Sequence, residues 1–152
     1  GLVGSEMCIR DSSSPENKMS KSDPDGCVYM MDKPEDIMRK FKRAVTDCDS
    51  CVKFDKENKP GISNLLSIYC AATGKTVAEA EVEFAGQGYG IFKPAVAESV
   101  IELLRPIREE AERLTADKAY LESVYKDGAQ KASYLAEKTL RKVYKKVGFV
   151  AR

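Results

Sequence analysis

Two lysines, Lys18 and Lys21, stand three residues apart in the run Lys18-Met19-Ser20-Lys21-Ser22. Their ammonium groups can reach one polyphosphate together, and the hydroxyls of Ser20 and Ser22 add donors. Met19 is an apolar peg suited to seating the run against a protein body. Fixed cations of this kind fit a reaction in which negative charge grows on departing pyrophosphate. Pro15, Asp23, Pro24, Asp25 and Gly26 surround the run, which reads as a loop. A loop can also close over the phosphates it grips. An isolated Lys-x-x-Lys is ordinarily a solvated basic loop. The weight here rests on the whole pentapeptide followed by Asp23.

Other chemistries are excluded by what the sequence lacks. There is no His in the 152 residues. That removes Ser-His-Asp triads, most zinc sites and the commonest general base. The cysteines form no small disulfide framework, and a chain without an export signal is expected to keep them as thiols. Cys48 and Cys51 make a Cys-x-x-Cys pair, but Cys27 and Cys70 are its only further native partners. That spacing suggests no metal site. The formal net charge is +1, so no global basic field announces a nucleic acid. Locally the picture differs. Lys138, Arg141, Lys142, Lys145, Lys146 and Arg152 follow one another without an acid. They either stabilise a helix C-terminus or contact RNA phosphates. Tyr125, Tyr134 and Tyr144 lie on the same segment and have the ring faces that stacking on bases requires. No apolar run is long enough to span a bilayer.

The elements that must position these groups are helical. Cys27–Met31 reads as a short extended run, and Asp32 as the N-cap of a helix with capping-box spacing to Glu35. Ile37, Met38, Phe41 and Val45 make its apolar face. Val52 and Phe54 suggest a weak extended segment. A second helix is predicted over Ile62 to about Thr73, stopped by Gly74. Thr76 and Glu79 form a capping box for a short helix that Gly86 ends. Gly86, Gly88 and Gly90 predict a connector with positive φ angles. A long pattern runs from Ile91 to about Leu114, with Pro106 expected to kink or break it. The last helix spans about Asp117 to Val147 and stops at Gly148. Its stripe is Leu121, Val124, Tyr125, Ala129, Ala132, Leu135, Ala136, Leu140, Val143 and Val147. Tyr125 is expected in the core. The fold class is mainly α, a helical bundle, with too little strand for a nucleotide-binding sheet.

The run Lys18–Ser22 is similar to the signature loop of class I aminoacyl-tRNA synthetases. Four further strings resemble the tryptophanyl-tRNA synthetase family of bacterial type. They are Ala44-Val45-Thr46-Asp47, Lys59-Pro60-Gly61-Ile62-Ser63-Asn64-Leu65-Leu66, Gly88-Tyr89-Gly90-x-Phe92-Lys93 and Leu104-Arg105-Pro106-Ile107. The resemblance covers about residues 15 to 148.

It implies ATP-dependent activation of L-tryptophan to the adenylate and transfer to tRNA(Trp), with Mg2+ accompanying ATP. It implies Lys18 and Lys21 as catalytic residues, and Lys18, Met19, Ser20, Lys21 and Ser22 as the ATP-binding loop. It makes Lys138, Arg141, Lys142, Lys145 and Lys146 candidates for tRNA contact. A cytoplasmic homodimer without membrane contact and without a resident metal is expected. The family's second ATP motif contains His and is not in this chain. The chain is therefore expected to be a C-terminal piece, inactive alone, lacking a Rossmann-like catalytic domain. Residues 13–31 are expected to carry the loop and the tail of that domain, and residues 32–152 the helical C-terminal domain. Residues 1–12 contain LVGSEMCIRDS, which resembles the translation of a sequencing adapter, and are expected to be a non-native leader. The alternative is a stand-alone helical RNA-binding module.

Overall fold

The computed structural model describes residues 26–150. The lysine run and the leader fall outside that range. Among the described residues there are five helices and no strand: α1 Pro34–Arg43, α2 Pro60–Thr73, α3 Val77–Glu83, α4 Tyr89–Ala116 and α5 Lys118–Val147. The expectation of a mainly α chain holds. Among the described residues, those up to Arg108 form one unit and those from Glu109 a second.

In the first unit, α1 begins differently from the sequence reading. Lys33 is the N-cap, with φ −68° and ψ 151° and no side-chain cap. Pro34 explains this, because a proline pushes the residue before it out of the helical region and itself fits the first helical position. Asp32 is released for other work. It accepts from the Tyr29 backbone N–H at 3.0 Å and from Lys40 Nζ at 2.7 Å. The extended run expected over Cys27–Met31 forms no strand, and Met30 and Met31 lie in a turn closed by the Asp32 N–H donating to the Tyr29 carbonyl. Glu35 and Asp36 in the first turn and Lys40, Lys42 and Arg43 in the last match the helix dipole. The helix buries Ile37 and Phe41. Val45 does not share that face. The helix ends at Arg43, and Val45 is 50% exposed.

Val52 is buried although it belongs to no strand. The Phe54 N–H finds the Glu81 carboxylate at 2.6 Å, so a side chain replaces the ladder partner the alternation suggested.

Helix α2 is the centre of the core, with Ile62, Leu65, Leu66 and Tyr69 buried. Burial of each such side chain contributes about 1.5–3 kcal/mol. Gly74 closes it in the left-handed region at φ 75°. Thr76 and Glu79 form the reciprocal capping box expected for α3. Of the three glycines between α3 and the first turn of α4, only Gly86 takes a positive φ, at 75°. Gly88 and Gly90 do not, because the chain enters α4 at Tyr89 and helical angles suit any residue there. The first half of α4 lays Phe92, Val96, Ala97 and Val100 into the core. The rings of Tyr69, Phe84 and Phe92 meet edge to face, at 5.3 Å for Tyr69–Phe84 and 4.9 Å for Phe84–Phe92. That geometry adds roughly 0.5–1.5 kcal/mol per pair.

Helix α4 runs unbroken through Pro94 and Pro106. The expected break at Pro106 is absent. Pro106 and Glu102 are both exposed, so water can serve the carbonyl whose helical donor the proline removes.

In the second unit, Asp117 caps α5 by accepting from the Tyr120 N–H at 2.9 Å. Gly148 ends it at φ 73°. The apolar stripe read from the sequence exists as a spacing, but no residue of α5 is buried. Tyr125 is 68% exposed, so the expectation of core packing is corrected. A period identifies the apolar face of a helix and says nothing of what covers it.

Candidate functional site

The segment that leaves the lysine run is firmly held. Cys27 is buried, and Lys40 Nζ donates to its carbonyl at 2.7 Å as well as to Asp32. The Lys40 ammonium also lies over the Tyr29 ring, 5.0 Å from its centroid. From α4, Arg108 donates to the Asp32 carbonyl at 3.3 Å. The described chain is thus fastened to α1 at Cys27 and Asp32 and to α4 at Asp32.

A second cluster was not foreseen. Tyr89, at the start of α4, donates its hydroxyl to Asp47 Oδ1 at 2.7 Å. Lys59 donates to Asp49 at 2.5 Å, to the Cys51 carbonyl at 3.1 Å and to the Tyr89 oxygen at 3.4 Å. Lys93 reaches the Ala44 carbonyl at 2.9 Å. Gly61 completes the seam, since a Cβ there would collide with the Val45 carbonyl oxygen. Three of the strings that carried the family resemblance therefore converge on one place: residues 44–47, residues 59–66 and residues 88–93.

The electrostatics follow from that closure. Burial, helped by the bond to Asp47, pushes the Tyr89 phenol up to about 12. The Asp49 hydrogen bond raises Lys59, and the same bond lowers Asp49. Burial lowers Lys93, against the pull of Asp47. Asp47 Oδ2 is buried with no partner among the described residues. Asn64 Oδ1, on the 59–66 string, is likewise buried without a partner among the described residues. The cluster's chemistry is that of a structural clasp holding residues 44–51 against α2 and α4.

The sequence-predicted site residues fare unequally. Lys18, Met19, Ser20, Lys21 and Ser22 lie outside the described residues. Lys138, Arg141, Lys142, Lys145 and Lys146 are all exposed on α5. Arg141 lies 3.6 Å from Glu137, while Lys138, Lys142, Lys145 and Lys146 have no acidic partner within ion-pair distance among the described residues. Lys138, Arg141, Lys142 and Lys145 follow at three- and four-residue spacing and share one face, opposite the apolar stripe. Cys48 and Cys51 are exposed free thiols. Among the described residues no three His, Cys, Asp or Glu side chains gather in a metal-binding group.

Residues 4–105 match the family model described as tRNA synthetases class I (W and Y). The chain belongs to this family. Within it, the tryptophan–tRNA ligase of Clostridium tetani is 49% identical over 144 residues, covering 93% of this chain and 42% of the relative. That of Oceanobacillus iheyensis is 48% identical over 136 residues, covering 88% of this chain and 41% of the relative. The chain thus spans under half the length of these two ligases. The fold is shared with the crystal structure of tryptophanyl-tRNA synthetase from Campylobacter jejuni complexed with ADP and tryptophan, at a TM-score of 0.77 and 24% identity, over 93% of this chain and 44% of that one. The synthetase from Mycoplasma pneumoniae superposes at a TM-score of 0.65 and 26% identity, over 93% of this chain and 45% of that one.

Proposed function

We propose that this chain is the C-terminal part of a tryptophan–tRNA ligase, which activates L-tryptophan with ATP and transfers it to tRNA(Trp). The observation that carries this is the 49% identity to the C. tetani ligase across 93% of the chain. In this reading the Lys18–Ser22 loop binds the ATP phosphates. Lys18 and Lys21 offset the negative charge that builds on pyrophosphate as the tryptophan carboxylate attacks the α-phosphorus. Mg2+ bound with ATP would supply further neutralisation of that charge. The clasp around Asp47 and the Lys40 anchor hold the helical part behind the loop. The cations of α5 meet tRNA phosphates. The intact protein works in the cytoplasm as a homodimer, and residues 32–152 form its helical domain.

The test is made on the longer protein of ligase length. It is expected to catalyse tryptophan-dependent exchange between ATP and pyrophosphate and to charge tRNA(Trp). Lys21→Ala is expected to lower kcat by about 100- to 1,000-fold, the effect of losing one preorganised charge-stabilising group. The 152-residue chain alone is expected to show no exchange. Undiminished charging after Lys18→Ala and Lys21→Ala together, or charging of tyrosine in place of tryptophan, would refute the assignment.

A further inference from the structure

Helix α5 carries Tyr120, Tyr125, Tyr134 and Tyr144, and the structure separates them. Tyr144 meets Phe149 edge to face at 6.0 Å. Tyr125 is on the apolar stripe, with Leu121 four residues before it and Ala129 four after. Tyr120 is in the first turn beside Asp117. Tyr134 is different. It is 68% exposed and has no ring partner or side-chain hydrogen bond among the described residues. On its face of the helix stand Lys131 three residues before, Lys138 four after, Arg141 seven after and Lys142 eight after. Lys131 is held by Asp127 at 2.7 Å, whereas Lys138 and Lys142 are unpaired among the described residues. Arg141 lies 3.6 Å from Glu137. An uncovered aromatic ring beside the unpaired ammonium groups of Lys138 and Lys142 matches the chemistry of RNA, with π-faces on its bases and charge on its phosphates. A protein partner for this face would instead need carboxylates for the cations and an apolar socket for the ring.

We propose that Tyr134 is a stacking platform for an unpaired nucleobase of tRNA, with Lys138, Lys142 and Lys145 on the flanking phosphates. This rests on the tRNA-ligase reading above. Tyr125, equally exposed on the opposite face, is the internal control.

The experiment titrates a fluorescein-labelled transcript of tRNA(Trp) with the 152-residue chain at about 50 mM salt, where phosphate contacts are strong. A fully paired RNA duplex is the second probe. Circular dichroism confirms helicity for each variant. Tyr134→Ala is expected to weaken tRNA binding by about 5- to 150-fold, the range for losing one base stack. Tyr134→Phe and Tyr125→Ala are expected to bind like the parent, and Tyr134→Ala is expected to leave duplex binding unchanged. If the parent binds tRNA but Tyr134→Ala binds equally well, or Tyr125→Ala loses as much, the stacking role is overturned while the cationic face stands. If the parent chain binds no tRNA under these conditions, both the face and the platform are overturned.

Discussion

Gly61→Ala is the substitution that probes the clasp most directly. Alanine is normally preferred over glycine inside a helix by roughly 0.5–1 kcal/mol. At Gly61 the added Cβ would run into the Val45 carbonyl oxygen and crowd Thr46 Cα, at 3.3 Å. Those atoms are backbone, so no side chain can swing away. Either α2 retreats or residues 44–47 do, and both pull Asp47 from Tyr89. Overpacking of this kind costs about 1–3 kcal/mol. For a chain of this size each kcal/mol moves Tm by roughly 2–4 °C, so a fall of about 2–12 °C is expected. Gly128→Ala in the middle of α5 is the counterpart. Nothing lies within 4 Å of its added Cβ. It should therefore recover the ordinary helix preference and stabilise slightly. Thermal and urea unfolding, followed at 222 nm and by tyrosine fluorescence, measure both. A Gly61→Ala chain as stable as its parent would refute the close-approach argument.

Phe92→Ala, which removes the ring facing Tyr69 and Phe84 from a fully buried site, is expected to cost about 3–5 kcal/mol in the same unfolding assays. The Asp49–Lys59 pair gives a pH signature. Asp49 is lowered in the folded chain, so its contribution is present above the unfolded carboxylate value and is lost as pH falls through the lower folded one. Asp49→Asn should thus be less stable than the parent at neutral pH, and the gap should close as pH falls through the lowered carboxylate value, as melts along a descending pH series will show. In the longer enzyme, Lys142→Glu with Lys145→Glu should weaken tRNA binding and flatten its salt dependence; equal slopes for variant and parent would remove those lysines from the interface.

How much was legible in the sequence depends on the range of the interaction. The capping box of Thr76 and Glu79 spans three residues, and the stops at Gly74 and Gly148 involve the last helical turn alone. Such features are written in adjacent letters. Asp32 was misread because two local rules competed. A capping-box spacing pointed to Asp32, and Pro34 moved the cap to Lys33. The resemblance strings were legible as strings, while their meeting was not.

By itself the sequence determined that the chain is helical, where four of its helices begin and end to within a few residues, and which face of α5 is cationic. These follow from φ preferences, capping groups and the 3.6-residue period, all of which act within a turn or two. Tertiary structure alone decided that Tyr89 finds Asp47 across 42 positions, that Gly61 must lack a side chain, and that no residue of the apolar stripe of α5 is buried. Those outcomes depend on which surfaces the folded chain brings to within a few ångströms of each other, and no local spacing encodes the identity of a distant neighbour.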